Sequence, residues 1–182
     1  MITGFFWITL KNKMETNKPF TIFIVEDNEM FAESLRVSLE MQGYSVHAFR
    51  SGEHMISFWE DDPDIILLDY FIESEHGVAM NGDKILRFIR RISKSLPIIM
   101  LTSNTDIGQA TALLKEGAID FIVKDEDLLT NLQKTLNQVL ESMKLRQEMA
   151  RNKLNIKKYK RHFLVIVLII ALAVMTLLWL FS

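Results

Sequence analysis

Polar side chains that could do chemistry follow four short apolar runs of this 182-residue chain. Glu26 and Asp27 come directly after FTIFIV, and Asp69 ends DIILLD. Thr102 ends PIIMLT, and Lys124 follows AIDFIV. A single acid at such a place is most often a solvated strand end. Five polar groups that all follow or close apolar runs indicate a functional site instead.

The types of these residues limit the chemistry that they could support. Clustered carboxylates repel one another, and their pKa values rise unless a cation lies among them. Glu26, Asp27 and Asp69 offer only oxygen ligands, which suit a hard ion such as Mg²⁺. Thr102 and Lys124 can contact phosphoryl oxygens, so the set predicts phosphoryl transfer to or from a carboxylate. We expect Asp69 to be the nucleophile, because it ends the most apolar run.

The elements that must position these residues are five apolar runs separated by amphipathic segments. The runs are residues 20–25, 44–49, 64–69, 97–102 and 118–123. Four are nearly continuous in apolar character, which is typical of parallel strands buried on both faces, and the second alternates, which favours a strand near an edge. Five strand–helix repeats predict an α/β fold with a parallel, doubly wound sheet. Sites in such sheets lie at the carboxyl ends of the strands.

This set of residues, with the fivefold alternation, closely resembles the receiver domain of two-component response regulators over residues 19–143. The resemblance implies a five-stranded parallel doubly wound (flavodoxin-like) fold. It also implies a signalling domain rather than an enzyme acting on a free substrate. Asp69 would accept a phosphoryl group from a histidine kinase or a histidine phosphotransfer protein.

The resemblance also implies a role for each polar residue around Asp69. Asp27 and Asp69 would ligate Mg²⁺ directly, together with the backbone carbonyl of Phe71, and Glu26 would act through water. Lys124 would pair with a phosphoryl oxygen.

Two further residues correspond to the switch of this family. Thr102 would turn toward the phosphoryl group, and Phe121 would move inward with it. A plain core aromatic on the last strand explains Phe121 equally well.

Two departures from the family pattern lie close to the site. Asp125 follows Lys124, where the family usually has proline. The segment after Asp69 is longer than expected before the family's glycine, which we match to Gly82. The extra residues form either a flap over the site or, as we expect, a surface insertion.

The C-terminal segment 163–181 predicts a membrane anchor. Thr176 is its only polar residue, and as a helix it would span about 28 Å, close to the hydrocarbon thickness of a bilayer. The basic residues that precede it predict a cytoplasmic N-terminal body, by the positive-inside rule. We therefore expect a single-pass protein of the cell inner membrane, in contact with lipid through this segment.

The neck between body and tail, residues 144–162, carries eight Lys or Arg side chains against Glu148 alone. It contains no Pro or Gly, so one long helix is expected. Apolar residues recur along it at alternating spacings of four and three, which fits a coiled-coil homodimer, and a solvated charged helix is equally compatible. No DNA-binding or catalytic output domain fits in this length, and we expect no nucleic-acid partner.

The sequence thus predicts four parts and one leading function. The parts are an N-terminal extension (1–18), a receiver domain (19–143), a helical neck (144–162) and a transmembrane helix (163–181). The leading function is a membrane-anchored, stand-alone receiver that signals by contact with an unknown output protein. The alternatives are a haloacid-dehalogenase-like phosphohydrolase that uses Asp69 and a phosphorylation-independent membrane scaffold.

Overall fold

Five parallel strands form one sheet, in the order β2-β1-β3-β4-β5. The structure is a computed structural model and describes residues 19–72, 81–103 and 106–180. Its strands are β1 (Thr21–Val25), β2 (Ser45–Phe49), β3 (Ile65–Asp69), β4 (Ile98–Thr102) and β5 (Asp120–Val123). Its helices are α1 (Glu29–Glu40), α2 (Gly52–Ser57), α3 (Gly82–Ile92), α4 (Ile107–Lys115) and α5 (Leu128–Leu180), with a 3₁₀ turn at Trp59–Asp61. The five-stranded parallel α/β fold expected from the sequence is confirmed.

The burial of the strands explains their composition. All residues of β1, β3 and β4 are buried, so these strands are apolar on both faces. Each fully buried Ile, Leu or Phe side chain contributes about 1.5–3 kcal/mol relative to an exposed one. In the second strand only Val46 and Phe49 are buried, and Ala48 between them is exposed. The strand lies at an edge of the sheet, as its sequence pattern predicted.

The order of the strands reverses beside β1. The chain leaves β1 for β2 on one side and returns to β3 on the other, and it then continues outward to β4 and β5. Helices that follow β1 and β3 therefore leave a crevice at the carboxyl ends of these two strands. Residues that directly follow β1 and end β3 meet there.

Three helices begin at side chains that accept a hydrogen bond from a backbone amide of the first turn. Asn28 accepts from the amide of Phe31 at the start of α1, Ser51 from His54, and Asp106 from Gly108. Each cap satisfies an amide that has no partner inside the helix. The cap at Asn28 also sets where the chain turns after Glu26 and Asp27.

Gly82 brings the chain back to the sheet after the segment that follows β3. Its amide donates to the carbonyl oxygen of Tyr70 at 2.9 Å. A Cβ atom at position 82 would lie 2.9 Å from the Cα of Tyr70 and closer still to the carbonyl oxygen of Asp69. Only glycine allows this approach, which agrees with the match made from the sequence. Residues 73–80 of the predicted insertion lie outside the described residues.

The chain divides into two compact units, residues 1–139 and 140–182. The first contains the sheet and the beginning of α5, and in the second the structure describes the rest of α5, up to Leu180. No helix among the described residues is both long and apolar enough to cross a membrane. Most side chains of segment 163–181 lie outside the description, as does the predicted extension 1–18, so both assignments stay predictions.

Substituting Gly82→Ala should lower the free energy of unfolding by about 1–3 kcal/mol, because the new methyl group meets backbone atoms that cannot move without disturbing β3. Urea-induced unfolding would measure the change. Gly108→Ala is the matched control, since its methyl group would lie 3.1 Å from a side-chain oxygen of Asp106 and, among the described residues, would meet no backbone atom of another element. A loss no larger than in this control would contradict the close approach.

Candidate functional site

Glu26 and Asp27 lie where β1 ends and α1 has not yet begun. The amide of Glu26 donates to the carbonyl oxygen of Phe49 on β2 at 2.9 Å, so the sheet positions this residue. Its side chain turns inward and is only 2 % exposed. One carboxylate oxygen of Glu26 accepts from the amide of Asn28 at 3.3 Å, while Asp27 is partly exposed.

Asp69 ends β3, next to Leu101 of β4, and is 3 % exposed. Its Oδ2 atom lies 2.9 Å from Nζ of Lys124. Its Oδ1 atom is buried and accepts no hydrogen bond from any described residue. A buried carboxylate oxygen without a donor is unfavourable, so this atom is suited to a cation or another ligand.

Lys124 joins the two buried carboxylates. It follows β5, and its amide donates to the carbonyl oxygen of Thr102 at 2.8 Å, which places it at the same edge of the sheet. Its Nζ atom lies 2.6 Å from Oε2 of Glu26, besides its contact with Asp69. A single ammonium group thus balances part of the negative charge of Glu26 and Asp69.

Phe31, in the first turn of α1, is a member of this site that the sequence did not indicate. The Nζ atom of Lys124 lies 4.7 Å from the centre of its ring, a distance at which the aromatic face attracts a cation. The ring therefore contacts the ammonium group that the two carboxylates share. Its position in the sequence could not reveal this role, because it fits the apolar periodicity of α1.

Thr102 and Phe121 lie on the neighbouring strands β4 and β5. Thr102 is the last residue of β4 and is 4 % exposed. Phe121 is half-buried on β5, opposite Met100 of β4, and packs against the hydrophobic core. The structure therefore brings Thr102 to the edge that holds Asp69 and Lys124, while the switch role of Phe121 stays a prediction.

Burial governs the ionisation of the two inner carboxyl groups. Desolvation raises the pKa of Asp69 above its ordinary value, and the hydrogen bond and charge of Lys124 only partly oppose this. The pKa of Glu26 is raised for the same reason, again with Lys124 opposing. The negative charge of Asp27 further raises the pKa of Asp69. Additional positive charge at the site would therefore stabilise the ionised cluster.

The three acids fit a metal ion. Glu26, Asp27 and Asp69 each offer a carboxylate oxygen, and these atoms lie within 4.8 Å of one another. An all-oxygen set suits Mg²⁺, which keeps several waters of its own. The Oδ1 atom of Asp69, which lacks a donor among the described residues, independently agrees with this assignment. The part assigned to the backbone carbonyl of Phe71 stays a prediction.

Comparison with known proteins identifies the family. The model of the response regulator receiver domain matches residues 22–137. The chain belongs to this family. Receiver domains are signalling domains of two-component systems that are phosphorylated on an aspartate, work with a histidine kinase and typically bind Mg²⁺ at an acidic pocket. The resemblance seen in the sequence is confirmed at this level.

Relatives of this receiver include longer proteins. Response regulator MprA of Mycolicibacterium vanbaalenii is 31% identical over 124 residues, which cover 66% of this chain and 52% of that protein. The uncharacterized transcriptional regulatory protein YkoG of Bacillus subtilis is 32% identical over 121 residues, which cover 64% and 51%. The chain thus spans about half the length of the curated relatives that it matches.

Solved structures show the same fold. The chemotaxis protein CheY4 of Vibrio cholerae is 24% identical with a TM-score of 0.59, and the match covers 66% of this chain and 98% of that one. A putative response regulator of Chloroflexus aurantiacus is 28% identical with a TM-score of 0.59, and the match covers 68% and 99%. These matches cover nearly the whole of both solved chains.

Substituting Asp69→Asn should raise the free energy of unfolding of the metal-free receiver at pH 7. The folded-state pKa of Asp69 lies above its ordinary value of 3.8, so ionisation lowers stability as pH rises from that value through the folded-state pKa. Asparagine does not ionise and keeps an oxygen that can accept from Lys124. The gain should therefore shrink toward pH 4, as measured by urea-induced unfolding in the presence of a chelator.

The exposed Glu126→Gln provides the control for this substitution and should leave stability unchanged at both pH values. Adding Mg²⁺ should stabilise the parent and have little effect on the Asp69→Asn variant. Equal stability of parent and variant at pH 7 would contradict the cost of ionising Asp69 in this buried position.

Proposed function

We propose that this protein is a membrane-anchored, stand-alone receiver that accepts a phosphoryl group on Asp69 and signals by contact with another protein. The observation that carries the proposal is the environment of Asp69. This buried carboxylate pairs with Lys124 through Oδ2, retains an Oδ1 atom without a donor among the described residues, and lies beside two further acids. The phosphoryl donor is a phosphohistidine on a histidine kinase or phosphotransfer protein.

The transfer consists of one substitution at phosphorus. A carboxylate oxygen of Asp69 forms a bond to phosphorus while the P–N bond to the donor imidazole breaks. The electron pair of that bond goes to the nitrogen, and a ring already protonated on its other nitrogen leaves as neutral imidazole. The product is an acyl phosphate on Asp69 and an unphosphorylated histidine on the donor.

Charge is the main obstacle to this reaction, since an anionic donor must approach a cluster of acids. Asp27, Asp69 and the carbonyl oxygen of Phe71 would hold Mg²⁺, with Glu26 acting through water, and the ion would supply positive charge to the phosphoryl oxygens. Lys124, which pairs with both buried carboxylates in the metal-free protein, then donates to a phosphoryl oxygen. The ring of Phe31 contacts the ammonium group of Lys124 and helps to hold it at the edge of the site.

The response to phosphorylation is a shift between two states of the receiver. The hydroxyl of Thr102 turns toward the new phosphoryl group, and Phe121 moves inward on β5. The phosphoryl group can change the equilibrium between the two states only by the difference in its interaction free energy with them. The output partner recognises the surface that changes, and the protein turns over no free substrate.

Two other functions find less support. A haloacid-dehalogenase-like hydrolase normally carries a second aspartate two residues after the nucleophile, where this chain has Phe71, whose side chain is half-exposed. A phosphorylation-independent scaffold gives no reason for an oxygen of Asp69 to lie buried without a donor among the described residues.

Incubation of the full chain with a small-molecule phosphodonor and Mg²⁺ should add one phosphoryl group, measured as intact mass. The adduct should require Mg²⁺ and be absent from Asp69→Asn, whereas Glu126→Gln should react like the parent. Steady release of phosphate from simple esters would favour the hydrolase. No adduct under any condition would favour the scaffold.

Membrane anchoring rests on the apolar segment 163–181 and the basic neck before it. A helix of about this length spans the hydrocarbon core, and the positive-inside rule then leaves the receiver in the cytoplasm, at the cell inner membrane. Such a location would keep the receiver close to membrane-embedded sensor kinases.

After alkaline carbonate washing, the full chain should stay with the membrane fraction, because a spanning helix is not released by loss of surface charge. A chain that ends at His162 should appear in the soluble fraction. Substitution of Lys157 and Lys158 by glutamine, outside the tail, is the control and should leave the chain in the membrane. Release of the parent by carbonate would contradict the anchor.

A further inference from the structure

The second unit of the chain exposes a row of large apolar side chains on α5. Leu145 is 50% exposed, Met149 63%, Tyr159 74% and Phe163 67%. These values are high for apolar side chains at regular intervals on one helix, where an isolated exposed residue would need no explanation. No described residue of the chain covers this row.

The spacing of the row follows a heptad repeat. Leu145, Met149, Asn152, Ile156, Tyr159 and Phe163 follow one another at intervals of four, three, four, three and four residues. We call these six positions the seam. From Leu145 to Tyr159, two full heptads, the mean period is 3.5 residues. This is shorter than the 3.6 residues of a straight helix, so a partner helix that follows the seam winds around α5 with a left-handed supercoil.

We infer that the seam binds a second copy of this chain as a parallel, in-register coiled coil. In the heptad, Glu148 occupies position g and Lys153 position e of the next repeat. These two positions face each other across a parallel pair, so Glu148 of each copy meets Lys153 of the other. Both side chains are exposed. Glu148 is the only acidic residue of the neck, which also contains eight Lys or Arg residues. The single acid therefore stands where a parallel dimer can use it.

The same residues disfavour an antiparallel pair. In that arrangement e positions face e positions, which in the neck are Arg146, Lys153 and Lys160, so cations would face cations. Asn152 gives an independent reason. In a parallel pair it faces its own copy, and two side-chain amides can exchange hydrogen bonds. In the antiparallel alignment it would face the apolar Ile156 and lose them.

The length of the seam sets the strength of the association. It spans fewer than three heptads and contains one Asn and one Tyr, so the two copies should exchange and dimerise more fully at higher protein concentration. A parallel arrangement joins both receivers to the same end of the coiled coil. The inference uses neither phosphorylation nor the membrane anchor, so it can fail or hold independently of them.

Disulfide cross-linking can test this arrangement without interference, because the chain contains no cysteine. The full chain, in a mild detergent, would carry one new cysteine as Met149→Cys, Tyr159→Cys or Arg151→Cys. The first two lie on the seam and the third on the opposite side of the helix. With a mild oxidant, Met149→Cys and Tyr159→Cys should each form covalent dimers at least about tenfold faster than Arg151→Cys.

Other outcomes would overturn the inference. An antiparallel pair would cross-link Met149→Cys to Tyr159→Cys in a mixture but neither variant to itself. Dimers held together only by the tail would form disulfides at similar rates at positions 149, 151 and 159. A monomer would give no covalent dimer at any position.

A charge exchange tests the orientation in the Met149→Cys background. Glu148→Lys should slow the formation of covalent dimers, and adding Lys153→Glu should restore it, since the pair then forms with its signs reversed. Arg151→Glu is the matched control, because it changes charge away from the seam. A double variant no faster than Glu148→Lys would contradict the facing of positions 148 and 153.

Discussion

The shared ammonium group of Lys124 is the interaction on which the site of this receiver depends. Glu26 and Asp69 are both almost fully buried, and two carboxylates in such a place would resist ionisation. Lys124 contacts both, at 2.6 and 2.9 Å, and so keeps negative charge at the edge of the sheet. The balance is incomplete, since burial still raises the pKa of both acids. That remaining deficit of positive charge is the physical reason for a cation at this site.

The rest of the fold serves to hold these charges together. The strand order reverses beside β1, so the chain that follows β1 and the end of β3 share one crevice. The cap at Asn28 turns the chain into α1, which carries Phe31 to the ammonium group. On the other side, Gly82 lets α3 begin against the backbone of Asp69 and Tyr70.

The neck differs from the receiver in the way it can form contacts. The core of the sheet is covered by its own helices, whereas Leu145, Met149, Tyr159 and Phe163 of α5 are exposed. A helix with an exposed heptad pattern gains stability only from a partner. The apolar side chains of the receiver are therefore covered by internal packing, whereas those exposed on the neck would be covered only by the inferred partner helix.

Local patterns in the sequence determined the five strands, the edge position of β2 and the polar residues at the strand ends. The reason is that the order of apolar and polar residues within a short segment reflects which of its side chains are buried. Other features depended on contacts between distant positions. Glu26 and Lys124 lie 98 positions apart and meet only because β1 and β5 end at the same edge of one sheet. Packing likewise determines three other features: the lack of a donor to Oδ1 of Asp69 in the part of the chain that the structure describes, the contact of Phe31 with Lys124, and the clash that excludes a side chain at Gly82. Only the tertiary structure could decide these, because each is set by the distance between atoms and not by the type of residue.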